Sequence, residues 1–164
     1  MKDDSARLSA SCMPDFQAWQ KVNDSVTFST TDYLAGVFIT TPLHPDFLVA
    51  LTELLWPRFV EVNGAVFHAA YFDSARHDTL LETHPAPRER EYWLNLVILD
   101  RLFEAPNGDF FPQHAAVILS TAASMWRSRL REVFPDRSFT VTVIEDAEAG
   151  DYGLTFTQVE HSPD

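Results

Sequence analysis

One cysteine stands in the whole chain, Cys12, so no intramolecular disulfide can form and nothing points to an oxidising compartment. Glycine is almost as scarce. The five present, Gly36, Gly64, Gly108, Gly150 and Gly153, form neither a GxGxxG nor a Walker pattern. A phosphate cradle needs clustered glycines to bare its backbone amides, so the common nucleotide-binding loops are excluded. A GxSxG nucleophile elbow is also missing. Positive charge is short as well: 12 bases, ten of them arginines scattered from Arg7 to Arg137, face 24 acids. The resulting formal charge of −12 repels phosphate, which argues against nucleic acid and anionic membranes and favours a basic protein as partner. The longest uncharged run, residues 110–126, has 17 residues and includes Pro112, Gln113 and His114. A membrane span needs about 20 mostly apolar residues, so this run reads as a buried helix. The start, MKDDSARLSA, carries acids where an export signal has a basic and then an apolar region. The expected compartment is the cytoplasm.

What the chain does have is apolar surface, 46% hydrophobic and 13% aromatic residues over 164 positions, enough to offset chain entropy around one core. Residues 1–13 are polar and expected to fray, leaving 14–164 as a single domain. Within it, Phe16 and Trp19 mark a short helix over 14–22. Strands are expected at 26–29 and 33–40 around a Thr31–Asp32 turn. Phe47, Leu48, Leu51, Leu54 and Leu55 recur at helical spacing until Pro57 stops them. Asn63–Gly64 between two apolar runs specifies a two-residue type I′ hairpin. A polar connector then leads to a helix over 88–103, with Tyr92, Leu96, Leu99 and Phe103 on one stripe. Pro112 opens a longer helix reaching Phe134, with Ile118, Leu119, Ala122, Trp126, Leu130 and Phe134 inward and Gln113, Ser120, Ser124, Arg127 and Arg131 outward. The chain closes on a hairpin. Hairpins alternating with helices give an α+β fold, an antiparallel or mixed sheet with helices packed mainly on one face.

Two stretches are rich enough in ligating side chains to be tested as sites. The first is FTVTVIEDAEAGDYGLTFTQVE, in which Glu145, Asp146, Glu148 and Asp151 crowd the turn of the last hairpin. Read as a calcium loop from Asp146, it has Gly150 at the fifth position where an oxygen ligand is required, Asp151 in place of the turn glycine and Thr157 in place of the bidentate Glu, so the match fails. The second is FHAAYFDSARHDTLLETH, with His68, Asp73, His77 and His84 as candidate metal ligands. On a helix, His77 and His84 would stand about 10 Å apart along the axis, too far for one ion. In a loop they could converge. Cys12 could serve as a nucleophile only if His and an acid approached it.

Binding features are plainer. The last hairpin alternates, with Phe139, Val141, Val143, Leu154 and Phe156 on one side and Thr140, Thr142, Thr155 and Thr157 on the other. A threonine face beside an acidic loop is a docking surface. The profile is that of a non-enzymatic acidic protein-binding module, most concretely a bacterial immunity-type inhibitor that occludes the active site of a basic, nuclease-like toxin. Glu145, Asp146, Glu148, Asp151, Tyr152 and Trp93 would carry the contact, with no catalytic residue and no cofactor. The alternatives are a secretion chaperone working as a homodimer and a metal-assisted hydrolase using His68, His77, His84 and Asp73.

Overall fold

The computed structural model describes residues 13–23, 29–40, 46–99, 112–146 and 151–159. The chain falls into two compact units, Met1–Leu48 and Val49–Asp164. The described parts contain six helices and five strands: α1 (Pro14–Val22), α2 (Thr30–Thr40), α3 (Asp46–Leu55), β1 (Phe59–Val62), β2 (Ala65–His68), α4 (Ser74–Thr83), α5 (Pro87–Leu94), β3 (Val97–Ile98), α6 (Pro112–Val133), β4 (Phe139–Asp146) and β5 (Asp151–Gln158). The strands make two antiparallel sheets, β1-β2 and β3-β5-β4. The fold is α+β.

In the first unit, α1 and α2 meet through aromatic edges, Tyr33 standing 5.5 Å from Phe16 and 5.6 Å from Trp19. The strand expected at 33–40 is therefore a helix; of its expected partner at 26–29, residues 26–28 lie outside the described residues and Ser29 is not in a strand. A short polar motif decides the matter. Ser29 N and Oγ both donate to Asp32 Oδ2 at 2.7 Å, and Asp32 N donates back to Ser29 Oγ at 3.2 Å. This reciprocal capping box satisfies first-turn donors that a Thr–Asp turn would leave to water, and it outweighs the β-branched residues that follow.

The second unit is built on α6. Its buried stripe of Leu119, Ala122, Trp126 and Leu130 packs on Val141, Leu154 and Phe156 of the β3-β5-β4 sheet. Trp126 meets Phe156 edge-on at 5.9 Å and donates its indole N–H to Leu54 O at 2.7 Å, which anchors the end of α3. Each face of this helix lies where the spacing puts it, with Ser120, Ser124, Arg127 and Arg131 exposed. The Asn63–Gly64 turn also forms as expected, with φ of 51° and 78°. Both values belong to the left-handed region that a type I′ turn requires.

The connector and the helix over 88–103 differ from expectation. Residues 74–83 form α4, whose first turn is capped by Asp73 accepting from Arg76 N at 3.0 Å. Helix α5 ends at Leu94, and Val97–Ile98 pair with Leu154 and Gly153 of β5 instead of continuing the turn. Phe103 lies outside the described residues. Two β-branched residues next to a free strand edge favour pairing over helix. Gly153 permits that approach: a Cβ there would sit 2.7 Å from Val97 O.

The residue that ends α5 also joins the two sheets. Glu91 and Asn95 are one helical turn apart and both fully buried. Glu91 Oε1 accepts from Val66 N at 2.9 Å, and Glu91 Oε2 accepts from Gln158 N at 2.6 Å. Asn95 Oδ1 accepts from His68 N at 2.9 Å, while its amide donates to Val66 O at 3.0 Å and Phe156 O at 3.1 Å. The outward edge of β2 and the outward edge of β5 thus face one another through two side chains rather than through a strand. Each backbone group so held would otherwise be a buried, unpaired donor or acceptor costing about 1–3 kcal/mol. Asn95→Ala strips partners from three of them, and urea unfolding should show a loss of about 3 kcal/mol. A loss below about 1 kcal/mol would mean that water or a neighbour replaces the amide without cost.

Candidate functional site

The last hairpin is regular over all eight paired positions, from Phe139↔Gln158 to Asp146↔Asp151. Its core half is clamped by α6. At the turn end, Glu145 pairs across the ladder with Tyr152, and Asp146 with Asp151. Side chains alternate across the pleat, which puts Glu145 on the Val141–Val143 side and Asp151 on the side of Thr155 and Thr157. Both are exposed, and among the described residues neither carries an ion pair. The Glu145 and Asp151 carboxylates therefore lie on opposite faces of the hairpin. Glu148 and the turn at 147–150 lie outside the described residues.

The threonine face is split by α5. Thr155 is fully buried and donates its hydroxyl to Tyr92 O at 2.8 Å, and Thr157 is buried beside it. Thr140 and Thr142 stay exposed. Between these halves runs a groove of about 410 Å³ lined by Arg88, Glu89, Tyr92, Thr140, Thr142 and Thr157. Asp151 belongs to the same face. The sequence singles out the threonines; it does not show Arg88, Glu89 and Tyr92 as the opposite wall, because that depends on α5 crossing β5.

The two aromatic candidates part company. Trp93 is 42% exposed, with Tyr92 edge-on at 5.2 Å and His84 at 6.4 Å. It is available to a partner. Tyr152 is only 7% exposed and packs in the core with Leu154 and Phe156. It forms the core at the base of the acidic tip.

The histidine segment does not assemble a metal centre. His68 and Phe67 are consecutive in β2 and so project to opposite faces. The His68 ring lies 5.5 Å from Trp126 and 4.6 Å from Tyr71, whereas His77 lies 5.5 Å from Phe67 and 5.8 Å from Phe72 on the other side. Asp73 is committed to capping α4, and His84 Nδ1 is 2.8 Å from Thr83 Oγ1. Among the described residues no group of three or more His, Cys, Asp or Glu side chains can hold an ion. Cys12 lies outside them. Also among the described residues, no helix is long and apolar enough to cross a membrane. No family model, curated protein or solved structure matches the chain.

His68 has a structural consequence instead. Its Nδ1 accepts from Ala70 N at 3.3 Å, which places the proton on Nε2, a buried nitrogen without a partner. Burial pushes its pKa down to about 4 from the ordinary 6.5. The unfolded chain binds the proton near 6.5 and the folded chain only near 4, so stability is complete above 6.5 and falls as pH drops between these values. Between pH 7 and pH 5 the loss should be about 2 kcal/mol greater in the native protein than in His68→Gln. Equal losses in both proteins, followed by urea unfolding, would remove His68 as the cause.

Proposed function

We propose that the protein is a non-enzymatic binding module for a basic protein, and more finely an immunity-type inhibitor that neutralises a nuclease-like bacterial toxin by covering its active site. The observation that carries this reading is the end of the β4–β5 hairpin, where Glu145 and Asp151 are exposed and, among the described residues, make no ion pair, on an element whose other end is clamped by the core. Exposed negative charge is useful when a partner supplies the counter-charge. Cations that bind substrate phosphate in such a toxin would meet these carboxylates. The threonine groove beside Tyr92 would receive the adjoining backbone, and exposed Trp93 would supply apolar contact.

Rim charges act mainly on encounter. Each exposed pair adds about 0.2–1 kcal/mol, but a set of four in a field of −12 raises the association rate tenfold or more at low salt. The test is affinity capture from the native lysate at about 0.15 M salt, comparing the protein with its quadruple variant Glu145→Gln, Asp146→Asn, Glu148→Gln, Asp151→Asn. The expected result is a basic protein bound one-to-one, with its enzymatic activity suppressed and association at least tenfold slower in the variant. An acidic ligand, or equal capture by both proteins, would overturn the reading.

A further inference from the structure

On a chain this acidic, three arginines share one cleft. Arg127, Leu130 and Arg131 occupy one face of the last turns of α6, and Arg137, Ser138 and Phe139 follow as the chain enters β4; together they line a cavity of about 310 Å³. Each guanidinium makes one described hydrogen bond. Arg127 Nη2 donates to Val141 O at 3.2 Å, Arg131 Nε to Arg127 O at 3.2 Å, and Arg137 Nη2 to Glu61 Oε1 at 2.8 Å. A guanidinium has five donors, so most remain unspent. Arg127 and Arg131 make no ion pair among the described residues, although acids outnumber bases 24 to 12.

The site also has a floor and an edge. Leu130 is 1% exposed and Phe139 half-buried, giving an apolar base beside the Ser138 hydroxyl. Val159 N donates to Ser138 O, which turns the even-numbered backbone groups of β4 toward β5 and the odd-numbered ones toward the free edge. Val141 O on that edge is taken by Arg127; the amide of Phe139 faces the same way. Cations near a helix C-terminus are favourable in themselves, which accounts for Arg131 beside Arg127 O. Arg137 is already spent, its Nη2 on Glu61 and its guanidinium over the Phe134 ring at 5.4 Å, so it lends positive charge to the wall rather than a free donor. The helix end does not account for the free donors of Arg127 and Arg131, which meet no carboxylate among the described residues, and an anion in the cleft is what would match them.

We propose that this cleft binds a small ligand bearing one phosphate or carboxylate group on an apolar body, with Arg127 and Arg131 forking the oxyanion and Leu130 and Phe139 under the body. The volume suits a small metabolite, at the low end of the about 300–1,000 Å³ typical of ligand pockets. This site is independent of the acidic hairpin tip.

The experiment is an NMR titration of the full chain with inorganic phosphate, phenyl phosphate and benzoate, following the Ser138 and Phe139 amides and the arginine Nε–H signals. Saturable shifts confined to the cleft are expected, with phenyl phosphate or benzoate binding at least tenfold tighter than inorganic phosphate. The preferred head group names the source, phosphate ester or carboxylate. Arg131→Gln should weaken binding at least tenfold without changing the unfolding midpoint. Arg127→Lys should weaken it too, since it keeps the charge and loses the fork. Arg129→Gln, an equal loss of charge at a residue paired with Glu132, should leave binding intact. Non-saturable shifts, shifts shared by all the arginines, or equal weakening by Arg129→Gln would overturn the assignment.

Discussion

Everything in the larger unit depends on how the outward edges of β2 and β5 are satisfied. A two-stranded hairpin is marginal alone, and an open edge in a buried position is worse than marginal. Glu91 and Asn95 remove both problems by serving as a surrogate strand between the sheets. Two side chains from a single helical turn thereby set the distance and register between β1-β2 and β3-β5-β4. Gln158 doubles the bond to Glu91 through its own side-chain amide at 2.6 Å and reaches Gly64 O at 2.9 Å, tying the hairpin turn to the end of β5.

That arrangement has consequences at the surface. Because α5 must lie over β5 to deliver Glu91 and Asn95, it covers Thr155 and Thr157 and leaves only the β4 half of the threonine face open as a groove. Because α6 packs the opposite face, the turn end of the hairpin extends past both covers and exposes Glu145 and Asp151. The distribution of charge follows the same geometry. Described ion pairs engage Arg58, Arg129 and Arg137 with acids, whereas among the described residues Glu145 and Asp151 near the hairpin turn and Arg127 and Arg131 at the end of α6 make none. Two surfaces of opposite sign on one small chain fit two different ligands better than one.

Much of this was legible from the residues. The Asn63–Gly64 turn, the inward stripe of α6, the helix before Pro57 and the alternation of β4 and β5 each rest on local rules that tertiary structure did not override. Where the reading departed from the structure, the cause was a competing local or tertiary interaction. Ser29 and Asp32 cap a helix in a segment whose β-branched residues suggest a strand. Asn95 stops α5 because its amide serves strand edges far away in sequence, and a periodicity window cannot see those. The histidines illustrate the same limit from the other side: their spacing left convergence open, and only the alternation of Phe67 and His68 across β2 separates His68 from His77. The burial of Tyr152 is not legible beside an acidic turn, because it depends on the packing of β5 against the core. The arginine cleft was invisible because Arg127 and Arg131 read as an ordinary solvated stripe until Arg137 and Phe139 return beside them.

Native-state amide hydrogen exchange tests the central claim most directly. If Glu91 and Asn95 join the sheets into one cooperative structure, the Val66, His68 and Gln158 amides, which have no strand partner, will exchange only through global unfolding, at the same free energy as Thr155 and Thr157 in the β4–β5 ladder. Exchange of those three amides at the rate of open edge strands, with the ladder still protected, would show that the two sheets are held together by something else.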